Sequence, residues 1–448
     1  MFYNKILENL VLPCAGVLIG ESFIKNLKRI RKYDTLNEGE LEDLQNTKLS
    51  KLLSHSLNNS LYYKHHNIIL QSDPVLTLKQ FPILEKKVIR QSSTEILTHH
   101  QKLIERKSSG SSGFQTTVYM NKKEQSLQRA YQIHWWEWNG YKMGQPIIQT
   151  GITPNRHFVK KIKDLLLRTY YLKAFTHDEA SVLHALKWAN AKKNVFLGGY
   201  ASSLFVLSKI ARKNNLDTRF TGAVSWGDKL FDHYKRDVKS TFSVDIAETY
   251  GSSEGFLIAA QKDLPYMYIM SPHVYLEIVD DDGNDVEDGQ WGNVLVTSLD
   301  AYTMPLIRYR IGDLAMKLPK NEYPKKRDMA YPLLKKVIGR DTDLVKTRSG
   351  KYMVVHSFTG IFEHYKEIEQ YCIVQKELDG IELLYIPSED YKSEVLNSIK
   401  DSILEHLQEP SFYINFTEVG KIEPTSSGKP QIIKSFLKKD SLEKSEEL

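Results

Sequence analysis

The chain has 448 residues, 41% of them hydrophobic and 26% charged. That is the balance of an ordinary folded protein, and the length is too great for a single hydrophobic core, so two or more domains are expected. The formal net charge of +6 is small for this length, and with no interleaved basic–aromatic tract the composition argues against a nucleic-acid partner. The two cysteines, Cys14 and Cys372, exclude a cysteine-based zinc cluster and a disulfide framework, and they suit a reducing compartment.

Near the start, Leu10 to Gly20 is apolar but contains Pro13 and is too short to span a bilayer. It has a weak basic start and no small-residue cleavage site, so no transmembrane segment or signal peptide is expected. It reads as a docked segment, with peripheral contact to a membrane surface as the other reading, and the expected location is cytoplasmic. Residues 38–57 carry Leu41, Leu44, Leu49, Leu52 and Leu53 at helical spacing. Leu61 to Tyr63 and Phe81 to Leu84 each lie beside a break.

The stretch Ser108-Ser109-Gly110-Ser111-Ser112-Gly113, running on through Phe114 and Gln115 to Thr116, is small and hydroxyl-rich. Glycines let the backbone approach a polyanion, and hydroxyls add donors beside the exposed N–H groups, so phosphate is the natural ligand. It is not a Walker P-loop, because Gln115 stands where the second glycine of that motif belongs and no Lys-Ser/Thr follows. Taken alone, the stretch reads equally well as a flexible linker.

Lys123 to Tyr141 then reads as a helix, and short apolar strands alternate with helices. The expected strands are Pro146 to Gln149, Val195 to Leu197 and Thr221 to Val224. The expected helices are Phe158 to Leu167, Ala180 to Ala191 and Ala201 to Ala211. That alternation implies an α/β fold with a mostly parallel, helix-covered sheet. Val274 to Val279 and Gly292 to Thr297 read as a hairpin across a polar turn, the start of a β-rich part. After Gly339-Arg340 a smaller α+β unit is expected: strand Tyr352 to Val355, helix Phe358 to Tyr365, strands Tyr371 to Val374 and Glu382 to Ile386, helix Tyr391 to Leu407 and strand Tyr413 to Phe416. The lysines from Lys434 onward read as a solvated tail.

Four further elements accompany the Ser/Gly stretch: Ala247 to Gly255, Pro305 to Leu314, Ile338 to Asp343 and Glu423 to Pro430. In this order they resemble the signature motifs of the adenylate-forming superfamily, over about residues 40 to 435. Ser54 to Tyr63, Phe81 to Lys87 and Leu197 to Leu204 resemble its phenylacetate–CoA ligase branch, and particularly the CapK-type relatives of capsule biosynthesis.

The resemblance implies a domain of residues 1–338 binding ATP and a small-molecule carboxylate, a hinge at 339–342, and a small mobile domain of 343–448. A carboxylate would attack ATP to form an acyl-adenylate. A thiol, amine or hydroxyl acceptor would then take the acyl group, with coenzyme A as one candidate. The alternatives are transfer of the acyl group or AMP to a sugar, protein or cofactor, and a catalytically weakened ATP-binding scaffold. The second is favoured only by Phe114-Gln115, which replaces a common Lys-Pro pair.

Residue by residue, the resemblance implies that Ser108, Ser109, Gly110, Ser111, Ser112, Gly113 and Thr116 hold the leaving phosphates. Tyr250, with Gly251 and Ser252, would lie against adenine, and Gly227 within Ser225 to Asp228 would line its pocket. Glu254 would hold Mg²⁺, a hard cation suited to carboxylate oxygen. Asp313 would accept hydrogen bonds from both ribose hydroxyls, as its two oxygens allow. Arg340 would add a ribose or phosphate contact, and Lys429 would supply transition-state charge. His134, Tyr200 and Ala201 would line the acid pocket. The flanking Arg308 and Arg310 either pair with acids or face solvent.

Overall fold

The computed structural model describes all residues except 1, 20–21, 108–116, 152–157, 175–178, 253, 339–343, 350, 355–357, 359–360, 363, 366, 408, 424–430 and 438–448. Chain contacts divide it into two compact units, one of Met1–Ile311 with Ala315–Val337 and one of Gly312–Leu314 with Ile338–Leu448.

In the first unit the long helices start where the sequence can cap them. Asn37 caps Glu38–Asn59 and Asn121 caps Lys122–Trp138. Each closes a capping box with a glutamate three residues on, Glu40 and Glu124, satisfying two orphan N–H groups at once. The helix Glu38–Asn59 buries Leu41, Leu49, Leu52 and Leu53. The aromatic residues beside the expected breaks are core residues: Tyr63 and Phe81 are buried, and the Tyr63 hydroxyl donates to Pro305 O at 3.0 Å.

The strands β1 (Ile104–Lys107) and β2 (Thr117–Met120) pair antiparallel with Lys107 opposite Thr117. They flank the Ser/Gly stretch, which itself lies outside the described residues. Then come β3 (Ile147–Gly151), β4 (Thr169–Lys173), β5 (Phe196–Gly199), β6 (Ala223–Ser225) and β7 (Ile246–Gly251). These run parallel in the order β4-β3-β5-β6-β7. Strands β5 and β6 are buried throughout, as a sheet covered by helices requires.

From β7 the same sheet turns antiparallel. It continues through β8 (Leu257–Gln261), β9 (Met267–Ile269), β10 (Val274–Val279), β11 (Gly292–Ser298), β12 (Tyr309–Lys317) and β13 (Leu333–Ile338). The full order is β10-β11-β12-β13-β9-β8-β7-β6-β5-β3-β4. The expected hairpin is β10 and β11, with Val274 opposite Ser298. Strands β4, β7, β8, β9, β12 and β13 were not anticipated from the sequence. Among the described residues no helix is long and apolar enough to cross a membrane. The N-terminal segment is helical, with Leu7 buried among Leu27, Ile30 and Trp135.

The second unit pairs β14 (Leu344–Lys346) with β15 (Tyr352–Val354). Its larger sheet joins β16 (Ile368–Glu377), β17 (Gly380–Pro387), β18 (Tyr413–Glu418) and β19 (Ile433–Ser435) in the order β18-β17-β16-β19. The helix Val395–Leu407 buries Val395, Ile399, Ile403 and Leu407 against it. Strand β19 corrects one expectation: Lys434 belongs to a strand parallel to β16, where Ile433 is buried opposite Ile373, and not to a solvated tail. The expected helix Phe358 to Tyr365 falls partly outside the described residues.

Candidate active site

Parallel order brings the carboxyl ends of β5, β6 and β7 side by side, with Gly199 opposite Ser225 and Ser225 opposite Glu248. In open α/β sheets ligands bind outside such ends. Three sequence-predicted groups meet there: Tyr200 and Ala201 after β5, Gly227 after β6, and Tyr250 and Gly251 at the end of β7. Gly227 has φ +82°, and a Cβ there would come within 2.4 Å of the Tyr200 ring. Only glycine fits this turn against that ring.

The connection is tied by Trp226 N–H donating to Gly199 O at 3.0 Å and by the Thr249 hydroxyl donating to Ser225 O at 2.7 Å. Asp228 accepts from the N–H groups of Ala201 (2.5 Å) and Ser202 (3.1 Å), so a carboxylate caps the N-terminus of the helix Ala201–Lys213. No local sequence signal marks that cap, because the two partners are 27 residues apart. Burial and the nearby Asp228 charge push the Tyr200 phenol up to about 12, which keeps it a neutral hydrogen-bonding group at physiological pH. The Trp226 indole stacks on Trp136 at 5.4 Å, fixing the floor of the turn. Tyr250 is half-buried against the core of the antiparallel part.

Beyond β7, Ser252 N–H donates to Phe256 O at 2.9 Å and Gly255 N–H to Ser252 O at 3.0 Å. This turn presents Glu254, whose buried carboxylate accepts from the Tyr309 hydroxyl at 2.9 Å. Glu254 lines a pocket enclosing about 440 Å³ of empty space, open solvent included, together with Glu124, Gln128, His273 and Asp300. Strand β2, which follows the Ser/Gly stretch, supplies Val118, Tyr119 and Met120 to the same pocket.

Among the described residues, several buried polar atoms around these turns have no hydrogen-bond partner: Ser225 Oγ, Ser252 Oγ, Gln128 Oε1 and His273 Nε2. Such groups are costly unless something bonds them. A ligand rich in hydroxyl and other polar groups fits that donor and acceptor set, whereas among the described residues no group of three or more His, Cys, Asp or Glu is placed to hold a metal ion. The His273 arrangement was not visible in sequence. Asp300 Oδ2 lies 2.8 Å from His273 Nδ1, and Asp300 Oδ1 lies 2.6 Å from Lys48 Nζ. Burial alone would raise the Asp300 carboxyl, but Lys48 and His273 outweigh it and hold it at about 2.

Asp313 lies on β12, one residue after Gly312, which has φ +87°. Arg308 and Arg310 are both paired. Arg308 is buried and donates to Glu277 at 3.1 Å and to Phe81 O at 3.2 Å, while Arg310 reaches Glu85 at 3.2 Å. Arg340, the hinge-like 339–342 and Lys429 lie outside the described residues.

His134 is placed apart from the described pocket. Its Nε2 is 3.0 Å from Asp34 Oδ1, and Asp34 also accepts from the Trp138 indole N–H at 2.9 Å and the Tyr331 hydroxyl at 3.0 Å. Glu137 faces the other ring nitrogen at 3.7 Å and pairs with Arg31. The imidazole thus ties the helix Lys122–Trp138 to the helix Phe23–Tyr33, a structural role. Burial pulls its pKa down, but the hydrogen bond to Asp34 and the nearby Glu137 carboxylate outweigh burial and leave it raised above the ordinary histidine value.

A raised folded pKa contributes stability that is fully present below the unfolded value and lost as pH rises through the folded one. Wild type and His134→Gln should therefore differ most in melting temperature below about pH 6.5, the unperturbed histidine value, and converge as pH rises above it. A pH series of thermal melts checks this, and a constant gap would contradict it.

No protein-family model matches the chain. Protein CapK of Staphylococcus aureus is 26% identical over 450 residues, covering 95% of this chain and 96% of that one. Phenylacetate-coenzyme A ligase of Pseudomonas putida is 32% identical over 134 residues, 28% of each chain. Among solved structures, 2-hydroxyisobutyryl-CoA ligase in the postadenylation state with R3-HIB-AMP matches with a TM-score of 0.71 and 15% identity, covering 92% of this chain and 93% of that one. ATP-bound MatB from Rhodopseudomonas palustris matches with a TM-score of 0.54 and 13% identity, over 75% of this chain and 68% of that one. By sequence this chain is similar to CapK along nearly its whole length and to phenylacetate-coenzyme A ligase over 28% of it, and it shares the fold of 2-hydroxyisobutyryl-CoA ligase.

Proposed function

We propose that the protein is an AMP-forming acid ligase that activates a small carboxylic acid with ATP. One observation carries the reading. The ends of three adjacent parallel strands and the turns after them bring Tyr200, Gly227 and Tyr250 to one edge, with Glu254 on the next turn of the chain. A carboxylate oxygen of the acid attacks the α-phosphorus of ATP. The α–β bridging bond breaks, pyrophosphate leaves and an acyl-adenylate remains.

Ser108 to Thr116 hold the departing phosphates, and a loop of weak donors suits a group that must leave. Tyr250 offers its ring face to adenine, with Gly227, Gly251 and Ser252 around it. Asp313 holds the ribose hydroxyls, and Arg340 adds a contact. Glu254 holds Mg²⁺, which when bound neutralises phosphate charge. Lys429 meets the charge that builds on the α-phosphoryl oxygens. The neutral Tyr200 phenol and Ala201 border the acid. In the second step an acceptor nucleophile attacks the acyl carbonyl carbon and AMP leaves.

Coenzyme A is one acceptor. A sugar, protein or cofactor acceptor in capsule or polysaccharide synthesis is the second reading. It is favoured because the likeness to CapK spans 95% of the chain, whereas that to phenylacetate-coenzyme A ligase spans 28%. We place the enzyme in the cytoplasm, where ATP is available.

Product analysis with α-labelled ATP tests the function. Acid-dependent release of AMP and pyrophosphate supports it. Release of ADP and phosphate contradicts it, and no turnover with any acid contradicts it and favours the scaffold alternative. A narrower test concerns Asp313→Ala. A carboxylate accepting two hydroxyls contributes roughly 1.5–3 kcal/mol per charged hydrogen bond, so affinity for a non-hydrolysable ATP analogue should fall at least about tenfold. Unchanged affinity with an intact fold would leave Asp313 only a structural residue of β12.

A further inference from the structure

The first unit carries a surface that the proposed chemistry does not use. The helix Phe23–Tyr33 buries Ile24, Leu27 and Ile30. Its other face places Lys25, Lys28, Arg29 and Lys32 in solvent, at spacings of three, four and seven. Lys28 Nζ lies 3.5 Å from Asn9 Oδ1, so this basic stripe adjoins the N-terminal helical segment, where Leu10 is 61% exposed.

A third helix, Phe158–Leu166, carries an outward apolar face: Ile162 is 43%, Leu165 78% and Leu166 40% exposed. These residues are spaced three and four apart, with Lys160, Lys161 and Lys163 exposed beside them. The N-terminal segment joins the two sides. The Tyr3 hydroxyl donates to Leu166 O at 2.6 Å, and the Arg168 guanidinium sits 4.0 Å from the Tyr3 ring centre. The acid on the N-terminal segment, Glu8, is neutralised by Arg31.

Single exposed leucines are ordinary, but exposed apolar residues grouped at helical spacing and rimmed by cations are a binding feature. A protein groove would bury the leucines and strand the lysines. An anionic bilayer accommodates both, because apolar side chains enter the headgroup–acyl boundary while lysines meet lipid phosphates. We propose that these three helices dock the protein onto an anionic membrane surface, without spanning it. The proposal does not depend on the reaction assigned above.

Each basic residue near an anionic leaflet contributes about 1 kcal/mol, about fivefold in affinity, and the attraction weakens with salt. The full chain should co-sediment with phosphatidylglycerol-containing vesicles at low salt, dissociate as salt rises, and ignore phosphatidylcholine vesicles. Ile162→Glu with Leu165→Glu should lower vesicle affinity at least about tenfold. Lys25→Glu with Lys28→Glu should lower it by a similar factor. All four residues are exposed, so melting temperatures should hold, which separates lost docking from lost folding.

Failure of the wild type to bind anionic vesicles overturns the proposal, as does wild-type binding by either double variant. A dimer in light scattering that Leu165→Glu dissociates, with no vesicle binding, would assign the surface to a second copy instead.

Discussion

Replacing Lys429 by alanine should reduce acyl-adenylate formation by a factor on the order of 10²–10³, the usual cost of losing one transition-state charge contact. Transfer from chemically made acyl-adenylate to the acceptor should be nearly unaffected. The asymmetry follows from position. Lys429 lies far along the chain from every other proposed nucleotide-binding motif, near the end of the smaller unit. The resemblance to the adenylate-forming enzymes implies a small mobile domain that would turn between the two steps. A lysine delivered only for adenylation has no part in the second step. The two half-reactions are measured separately on the purified variant. Equal damage to both would contradict a step-specific lysine and leave Lys429 as a group needed throughout.

Arg308→Met should destabilise the protein by about 3 kcal/mol, the lower end of the cost of breaking a buried ion pair. Arg308 is buried and spends its guanidinium on Glu277, with further bonds to the carbonyls of Phe81 and Gly283. Methionine keeps much of the volume and removes every donor. Lys79 remains 2.7 Å from Glu277 and limits the loss. Arg308 also stands at φ +49°, held there by this network and by its N–H donating to Thr297 Oγ1 at 2.9 Å. Denaturant unfolding measures the change. A loss below about 1 kcal/mol, the scale of an exposed pair, would mean that the network contributes little.

The same arginine marks where sequence reading stops. Its motif was evident, but its partner Glu277 is 31 residues away across the sheet, and no local pattern joins them. The hairpin β10–β11 was readable because apolar strands flank a polar turn. The parallel strands β3, β5 and β6 were readable as short apolar runs between helices. Strand β12 was not, because a left-handed Gly312 interrupts the pattern, and its pairing comes from the rest of the sheet.

Strand β19 was hidden among lysines, since it is an edge strand whose only apolar demand is Ile433 packing on the core. For the site, the motif residues could be named, but their placement could not. His134 lies on the aromatic helix face expected to border the acid. Asp34, 100 residues earlier in the chain, commits its ring to a structural network. The Lys48–Asp300–His273 arrangement joins a helix and two turns, and it carries no sequence signature.

The central claim is that a carboxylic acid is activated through reversible formation of an acyl-adenylate. Carboxylate-dependent exchange of labelled pyrophosphate into ATP, run over a panel of acids without any acceptor, tests it most directly. Exchange that appears with particular acids and collapses in Lys429→Ala is the predicted result. No exchange with any acid, by a folded protein that still binds ATP, would contradict the account.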